Sequence, residues 1–122
     1  MIEMALVLPV YILLVHGMIQ LCFVLFGYCN ATYAIRVAAR YAALHGTGST
    51  YACTSTDLQN ITKKYLWGAR LSNVTITNTW SPDNNPGSTV TIKISIVYPT
   101  AIPFSSLSQI TVGTAVKTTI LQ

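Results

Sequence analysis

The chain has 122 residues, which suits one domain plus an anchor. Only 8% of them are charged, against about 25% in an ordinary globular chain. The net charge of +4 is scattered, with no Lys/Arg block, which argues against a nucleic-acid partner. From Met4 to Phe26 the chain is one apolar run whose only polar members are His16 and Gln20, with Glu3 at its lip. A bilayer core of roughly 30 Å needs about 20 apolar helical residues, so the run is long enough to cross it. It exceeds the 7–15 residues or so of a secretory signal, and no small-residue cleavage site follows.

The helical pattern continues past the run, which predicts one helix from Glu3 to His45. Pro9 inside it removes a backbone donor and crowds the preceding turn, so a kink or locally opened turn is expected there. Gly17 and Gly27 weaken the helix but permit close approach of a neighbour. Further on, Ala31, Ala34 or Ile35, Ala38, Ala42 and Leu44 form a small-residue face at three-to-four spacing, suited to packing against a sheet or a second helix. Arg36 and Arg40 lie on the opposite, wet side. Gly46 supplies the stop, with His45 in the last turn.

A loop covers 46–54. Thr56 and Gln59 read as a capping box, with Asp57 in the first turn of a short second helix. Leu58, Ile61, Tyr65 and Leu66 would be its buried face, Lys63 and Lys64 would point out, and Gly68 would end it. The remainder alternates with period two. Val74, Ile76 and Trp80 oppose Thr75, Thr77 and Thr79; a turn-dense stretch follows from Ser81 to Gly87. Val90, Ile92, Ile94, Ile96 and Tyr98 then alternate with Thr89, Thr91, Lys93 and Ser95. Pro99 and Pro103 bracket a loop through Ser108, and a third strand carries Ile110, Val112, Val116 and Ile120 on one side. β-branched residues dominate all three segments. The small antiparallel sheet so formed has an apolar face to cover, and the Ala-rich part of the long helix is its natural cover.

The chemistry of catalysis is absent from the pattern. The three acids Glu3, Asp57 and Asp83 have no neighbouring histidine, and no CxxC, HExxH, phosphate loop or GxSxG occurs. The expectation is a non-enzyme with no cofactor and no metal. Cys22 and Cys29 are seven residues apart on a helix, about 10.5 Å along its axis, too far for a bridge within the chain. They are either small apolar packers or intersubunit thiols. His16 and Gln20 are four apart, so they share a face and are expected to turn towards protein rather than lipid. Glu3 has two readings. Unpaired in a dry bundle it costs several kcal/mol, so it must snorkel, protonate or find a partner such as a free N-terminal amine on a neighbouring copy. As a first-turn acid it simply complements the helix dipole, worth about 0.3–1 kcal/mol.

Taken together, several stretches resemble a known family. They are Glu3-Met4-Ala5-Leu6-Val7-Leu8-Pro9-Val10, Gly17-Met18-Ile19-Gln20, Tyr28-Cys29-Asn30-Ala31 and Ala38-Ala39-Arg40-Tyr41-Ala42-Ala43. These are similar to the opening of TadE-like proteins, and Val90 to Pro103 followed by Ile110 to Leu121 resembles that family's closing strands. The resemblance implies a pilin-like subunit of the tight-adherence branch of type IV pilus systems. It implies a precursor in the inner membrane with a leader removed by a membrane peptidase. A pilus assembly ATPase and platform machinery would then extract the subunit into a homopolymeric extracellular filament on the bacterial surface. By that likeness Glu3 corresponds to the acid that registers incoming subunits. Glu3 stands third where type IV pilins usually carry the acid fifth, and no basic leader precedes it, so either cleavage is unusual or Met1 is a true start. Arg36 and Arg40 after the span argue for a cytoplasmic C-terminal side, whereas the Thr-rich, charge-poor domain suits the outside.

The expected fold is therefore α+β and pilin-like. Residues 1–27 form a transmembrane or filament-core helix. Residues 28–122 form a globular domain of helix continuation, short helix and about three antiparallel strands. Packing between copies is expected through Leu6, Leu8, Leu13, Leu14, Gly17, Leu21, Phe23, Phe26 and Gly27. The expected role is a polymerising structural subunit. The alternatives are a membrane-retained minor pseudopilin that primes or scaffolds assembly, an anchored enzyme or ligand-binding domain, and a packing subunit that never leaves the bilayer.

Overall fold

The structure, a computed structural model, describes residues 2–66, 73–99 and 109–121; of residues 2–5 and 99 it describes the backbone alone. Five elements follow in order: α1 (Ile2–Leu44), α2 (Ser55–Tyr65), β1 (Val74–Ser81), β2 (Thr89–Pro99) and β3 (Gln109–Thr119). The architecture is α+β and pilin-like: a long apolar N-terminal helix, a short second helix and a three-stranded antiparallel sheet.

α1 runs for 43 residues, about 64 Å at 1.5 Å per residue, and its helix is unbroken at Pro9. It ends at Leu44, so His45 lies just past the last turn rather than within it. There the imidazole stacks on Tyr41 with ring centroids 4.0 Å apart, and Nδ1–H donates to the Tyr41 carbonyl at 3.0 Å. That bond closes one of the carbonyls that every helix end leaves open.

α2 starts two residues from where the Thr56/Gln59 reading places its cap. The N-cap is Thr54, whose hydroxyl accepts from the Asp57 amide, while the Asp57 carboxylate accepts from the Thr54 amide at 3.1 Å. A carboxylate makes stronger bonds to backbone N–H than the amide of Gln59 can, and the earlier start lets Cys53 tuck into the core. Leu58 and Leu66 are buried and Ile61 half-buried, as expected, but Tyr65 is exposed and meets Tyr33 edge-on at 6.1 Å. The buried place is taken by Thr62, whose hydroxyl donates to the Leu58 carbonyl at 2.6 Å and so enters the core satisfied. The expected stop at Gly68 and the loop through Pro103 to Ser108 lie outside the described residues.

The sheet order is β1-β2-β3, with Val74 opposite Ile96 and Ser81 opposite Thr89 on one side of β2, and Thr89 opposite Thr119 on the other. Pro99 closes β2 rather than opening the loop. The strict alternation in β1 and β3 puts Thr75, Thr77 and Thr79 outside and Val112 and Val116 inside. Val90, Ile92, Ile94 and Ile96 of the central strand are buried against Ala31, Ala34, Ile35, Ala38, Ala39 and Ala42 of α1, with Cys53, Leu58 and Leu66 completing the core. Alanine on the helix is what permits this: a bare methyl lets the helix backbone settle onto the β-branched ridge of β2. Leu44, counted with this face in the sequence, is instead 51% exposed, because it lies two residues after Ala42 and four after Arg40, which puts it on the outer stripe of α1 with Arg36 and Arg40.

The far end of the domain is stitched by the β1–β2 turn. Thr47 N–H donates to the Asn84 carbonyl at 2.9 Å, Asn84 Nδ2 donates to the Cys53 carbonyl at 3.1 Å, and Leu121 N–H donates to the Ala43 carbonyl at 2.8 Å. Gly87 sits at φ 88, a left-handed conformation that a side chain would strain.

Candidate assembly surface

From Leu6 to Phe26, fifteen large apolar side chains are exposed and none is buried. Leu6 is 72% exposed, Leu21 61% and Phe23 66%, with Leu8, Leu13, Leu14 and Phe26 similarly bare. Nothing in the described chain covers them. Soluble monomers rarely expose a contiguous apolar patch above a few hundred Å², and this helix exposes apolar side chains on every face. Covering side chains of this kind is worth about 1.5–3 kcal/mol each in water, so the bare helix requires lipid or protein around it. It is long and apolar enough to cross a membrane, and it anchors the domain to one.

The residues singled out in the sequence fall into three groups. Leu6, Leu8, Leu13, Leu14, Leu21, Phe23 and Phe26, with Gly17, line the bare helix; a Cβ at Gly17 would meet nothing within 4 Å. Cys22 and Cys29 are both exposed on the same helix and free, whereas Cys53 is buried. Glu3 has its backbone in the first turn of α1, and its side chain lies outside the description. Gly27 behaves differently from Gly17. Its open face is occupied by Tyr98 of β2, and an added Cβ would collide with the Tyr98 hydroxyl and Cζ. Gly27 thus serves a close approach within the chain and is the first buried position along the helix. Burial raises the Tyr98 phenol above its ordinary pKa.

His16 and Gln20 form the one polar island on the bare stretch. His16 Nε2 and Gln20 Nε2 are 2.8 Å apart, so they pair along the helix, and Gln20 Oε1 has no partner among the described residues. The pair satisfies part of its own hydrogen bonding, while Gln20 Oε1 is shielded within the chain. Arg36 and Arg40 are exposed on the flank away from the sheet, as expected. Among the described residues no three His, Cys, Asp or Glu side chains gather as metal ligands.

Sequence reasoning missed two contacts that shape this surface. The Tyr98–Gly27 fit needed the register of β2 against α1, although the alternation did place Tyr98 on the inner face. The thiol of Cys53 is pushed up to about 11, first by burial and then by the nearby Asp57 charge, a depth set by the Thr54 cap.

No curated protein and no solved structure matches the chain. Residues 1–40 match the family model described as TadE-like protein, so the resemblance read from the sequence holds over the bare helix and most of its sheet-packed continuation.

Proposed function

We propose that this chain is a structural pilin-like subunit that polymerises through its N-terminal helix into an extracellular filament of the tight-adherence type. The observation that carries the reading is the bare apolar stretch from Leu6 to Phe26, joined without a break to a helix half that already has its own sheet. A helix that only anchored the domain would need no rigid continuation. A rigid continuation lets the sheet-clad half ride outward while the bare half passes from lipid into a bundle of sister helices. Lipid tails are as apolar as leucine, so that exchange gains little hydrophobic free energy. Extraction therefore needs external work, which an assembly ATPase and its platform would supply. The TadE-like match over residues 1–40 supports the same reading.

Electron microscopy of material sheared from cells, with mass spectrometry of its subunits, tests it. A dominant share of this chain in filaments supports the polymer role. A scarce, membrane-retained chain without which filaments fail supports the priming pseudopilin instead. Charge reversal at the helix head, Glu3→Lys, is expected to abolish assembly while the monomer still inserts; normal filaments from that variant would remove the registration role of Glu3.

A further inference from the structure

Among the described residues the sheet has two open edges, and their backbone geometry selects one kind of neighbour. Ile120 N–H donates to the Ser88 carbonyl and Gly87 N–H donates to the Ile120 carbonyl, both at 2.9 Å. The β2–β3 register continues without a shift from that pair, so even-numbered residues of β3 bond to β2. The odd-numbered ones, Thr111, Gly113 and Ala115 among them, turn their N–H and C=O outward and carry their side chains on the exposed face. By the same alternation β1 bonds to β2 through Thr75, Thr77, Thr79 and Ser81. Its outward groups belong to Val74, Ile76, Asn78 and Trp80, whose side chains point to the helix layer. Among the described residues nothing bonds to either outer row of backbone groups.

Natural proteins blunt such edges with charge, proline, bulges or brevity. β1 carries no charge and no proline over its 8 residues. β3 has 11 residues, and its single charge, Lys117, lies beyond the first eight, Gln109–Val116. An uncharged strand of eight therefore faces an uncharged window of eight. α2 leaves the β1 edge open, since it meets β1 from the inner side, where Asn78 Nδ2 donates to the Ser55 carbonyl at 3.2 Å.

We propose that the occupant of the β3 edge is the β1 edge of a second copy of this chain, paired in parallel. The inference rests on the assembly reading above. Copies anchored in one membrane share a direction, which forbids the two-fold pairings of β3 with β3 or β1 with β1, since those invert one partner. β1 and β3 run in the same direction within the chain. In a parallel pair each residue bonds to the two neighbours of the one facing it, so it uses outward groups from opposite faces. The two edges supply that combination, and the apolar inner face then continues from copy to copy. The contact is head-to-tail and open-ended, as a filament requires.

The test is cysteine cross-linking in the full membrane-inserted chain carrying Cys22→Ala and Cys29→Ala. One tagged copy bears Ala115→Cys; a second bears Thr75→Cys, Thr77→Cys or Thr79→Cys. Within one chain these positions are two strands apart, about 9.6 Å, beyond disulfide reach. Expected is a mixed dimer from at least one pairing, formed roughly tenfold above the Ala115→Cys self-dimer, because only the heterologous contact brings the two strands together. Ala115→Lys, whose side chain lies on the exposed face, is expected to cut assembly about tenfold while the domain stays folded. Oligomers that form without the mixed dimer, or that tolerate Ala115→Lys, overturn the edge pairing alone. Absence of oligomers from the parent chain overturns the assembly reading itself.

Discussion

From Leu6 to Phe26, α1 carries leucine, valine, isoleucine and phenylalanine and buries none of them; from Ala31 to Ala43 it carries six alanines and buries all six completely or nearly so. Side-chain size and burial are inverted between the two halves. The reason lies in what each half meets. The second half meets a ready-made surface, the Val90–Ile96 ridge of β2, at a distance the fold fixes, and there small side chains let the backbone come close. The first half meets nothing of its own chain. Its large side chains keep contact with any apolar surroundings, lipid or helix. A helix's hydrophobicity therefore does not say which part of it is core.

Truncation should separate the halves most strongly. Ile35 is fully buried, and Ile35→Ala is expected to destabilise the domain by about 2–5 kcal/mol in urea titrations of the full chain in mild detergent. Leu14→Ala, on the bare half, should stay within about 0.5 kcal/mol in the same titration and lower only the assembled fraction. Equal losses would erase the distinction. The cysteines offer a chemical version of the contrast. With Cys53 held at about 11 against an ordinary value of 9.0, its thiolate at pH 8 is scarcer by about 100-fold, a tenfold factor per pKa unit. Alkylation of Cys53 should be slower than in the urea-unfolded chain by at least that factor, since burial also blocks access. Because the folded state holds the proton more tightly, this contribution to stability is complete below the ordinary thiol pKa. It is lost as pH rises towards 11.

The two glycines sharpen the comparison at smaller scale. Gly17 on the bare half has open space at its Cα, so Gly17→Ala should stabilise the isolated subunit by up to about 1 kcal/mol through helix propensity. Gly27→Ala must displace the Tyr98 ring and is expected to cost about 1–3 kcal/mol of domain stability. It should also return the Tyr98 phenol towards its ordinary pKa, read by tyrosine 13Cζ titration. A Gly27→Ala variant as stable as its Gly17 counterpart, with Tyr98 unmoved, would remove the helix–strand fit as the start of the clad half.

Much of this division is legible in the residues themselves. The unbroken apolar run, the alanine stripe and the period-two strands each carry their signal within a dozen residues, and they place the elements and the covered face. What fails is whatever depends on exact helical phase or on how one element meets another. Leu44 comes only two residues after Ala42, so it breaks the three-to-four spacing and falls in line with Arg40 on the outer side. Tyr65 has the right period, yet the tightly packed interior takes the smaller Thr62 beside Leu58 instead. The pairing of Gly27 with Tyr98 joins residues whose proximity only the strand register decides.

The smallest expected effect tests a choice that local sequence left degenerate. Two overlapping cap frames compete at the start of α2, Thr54 with Asp57 and Thr56 with Gln59, and the first forms. The Thr54 hydroxyl and amide hold the Asp57 carboxyl below its ordinary range. A depressed carboxyl contributes stability that is present above its ordinary pKa and lost as pH falls through the lowered one. Loss of the N-cap in Thr54→Ala should cost about 0.5–2 kcal/mol, and release of the Asp57 carboxyl should flatten the acid limb of the stability profile. Thr56→Ala, outside the cap, should change neither. Both substitutions should leave the bare half's insertion untouched, because the cap anchors only the segment that carries Cys53 into the core. If Thr54→Ala weakened insertion as well, the two halves of α1 would be one cooperative unit, and the clad half could no longer be treated as a domain that folds on its own side of the membrane.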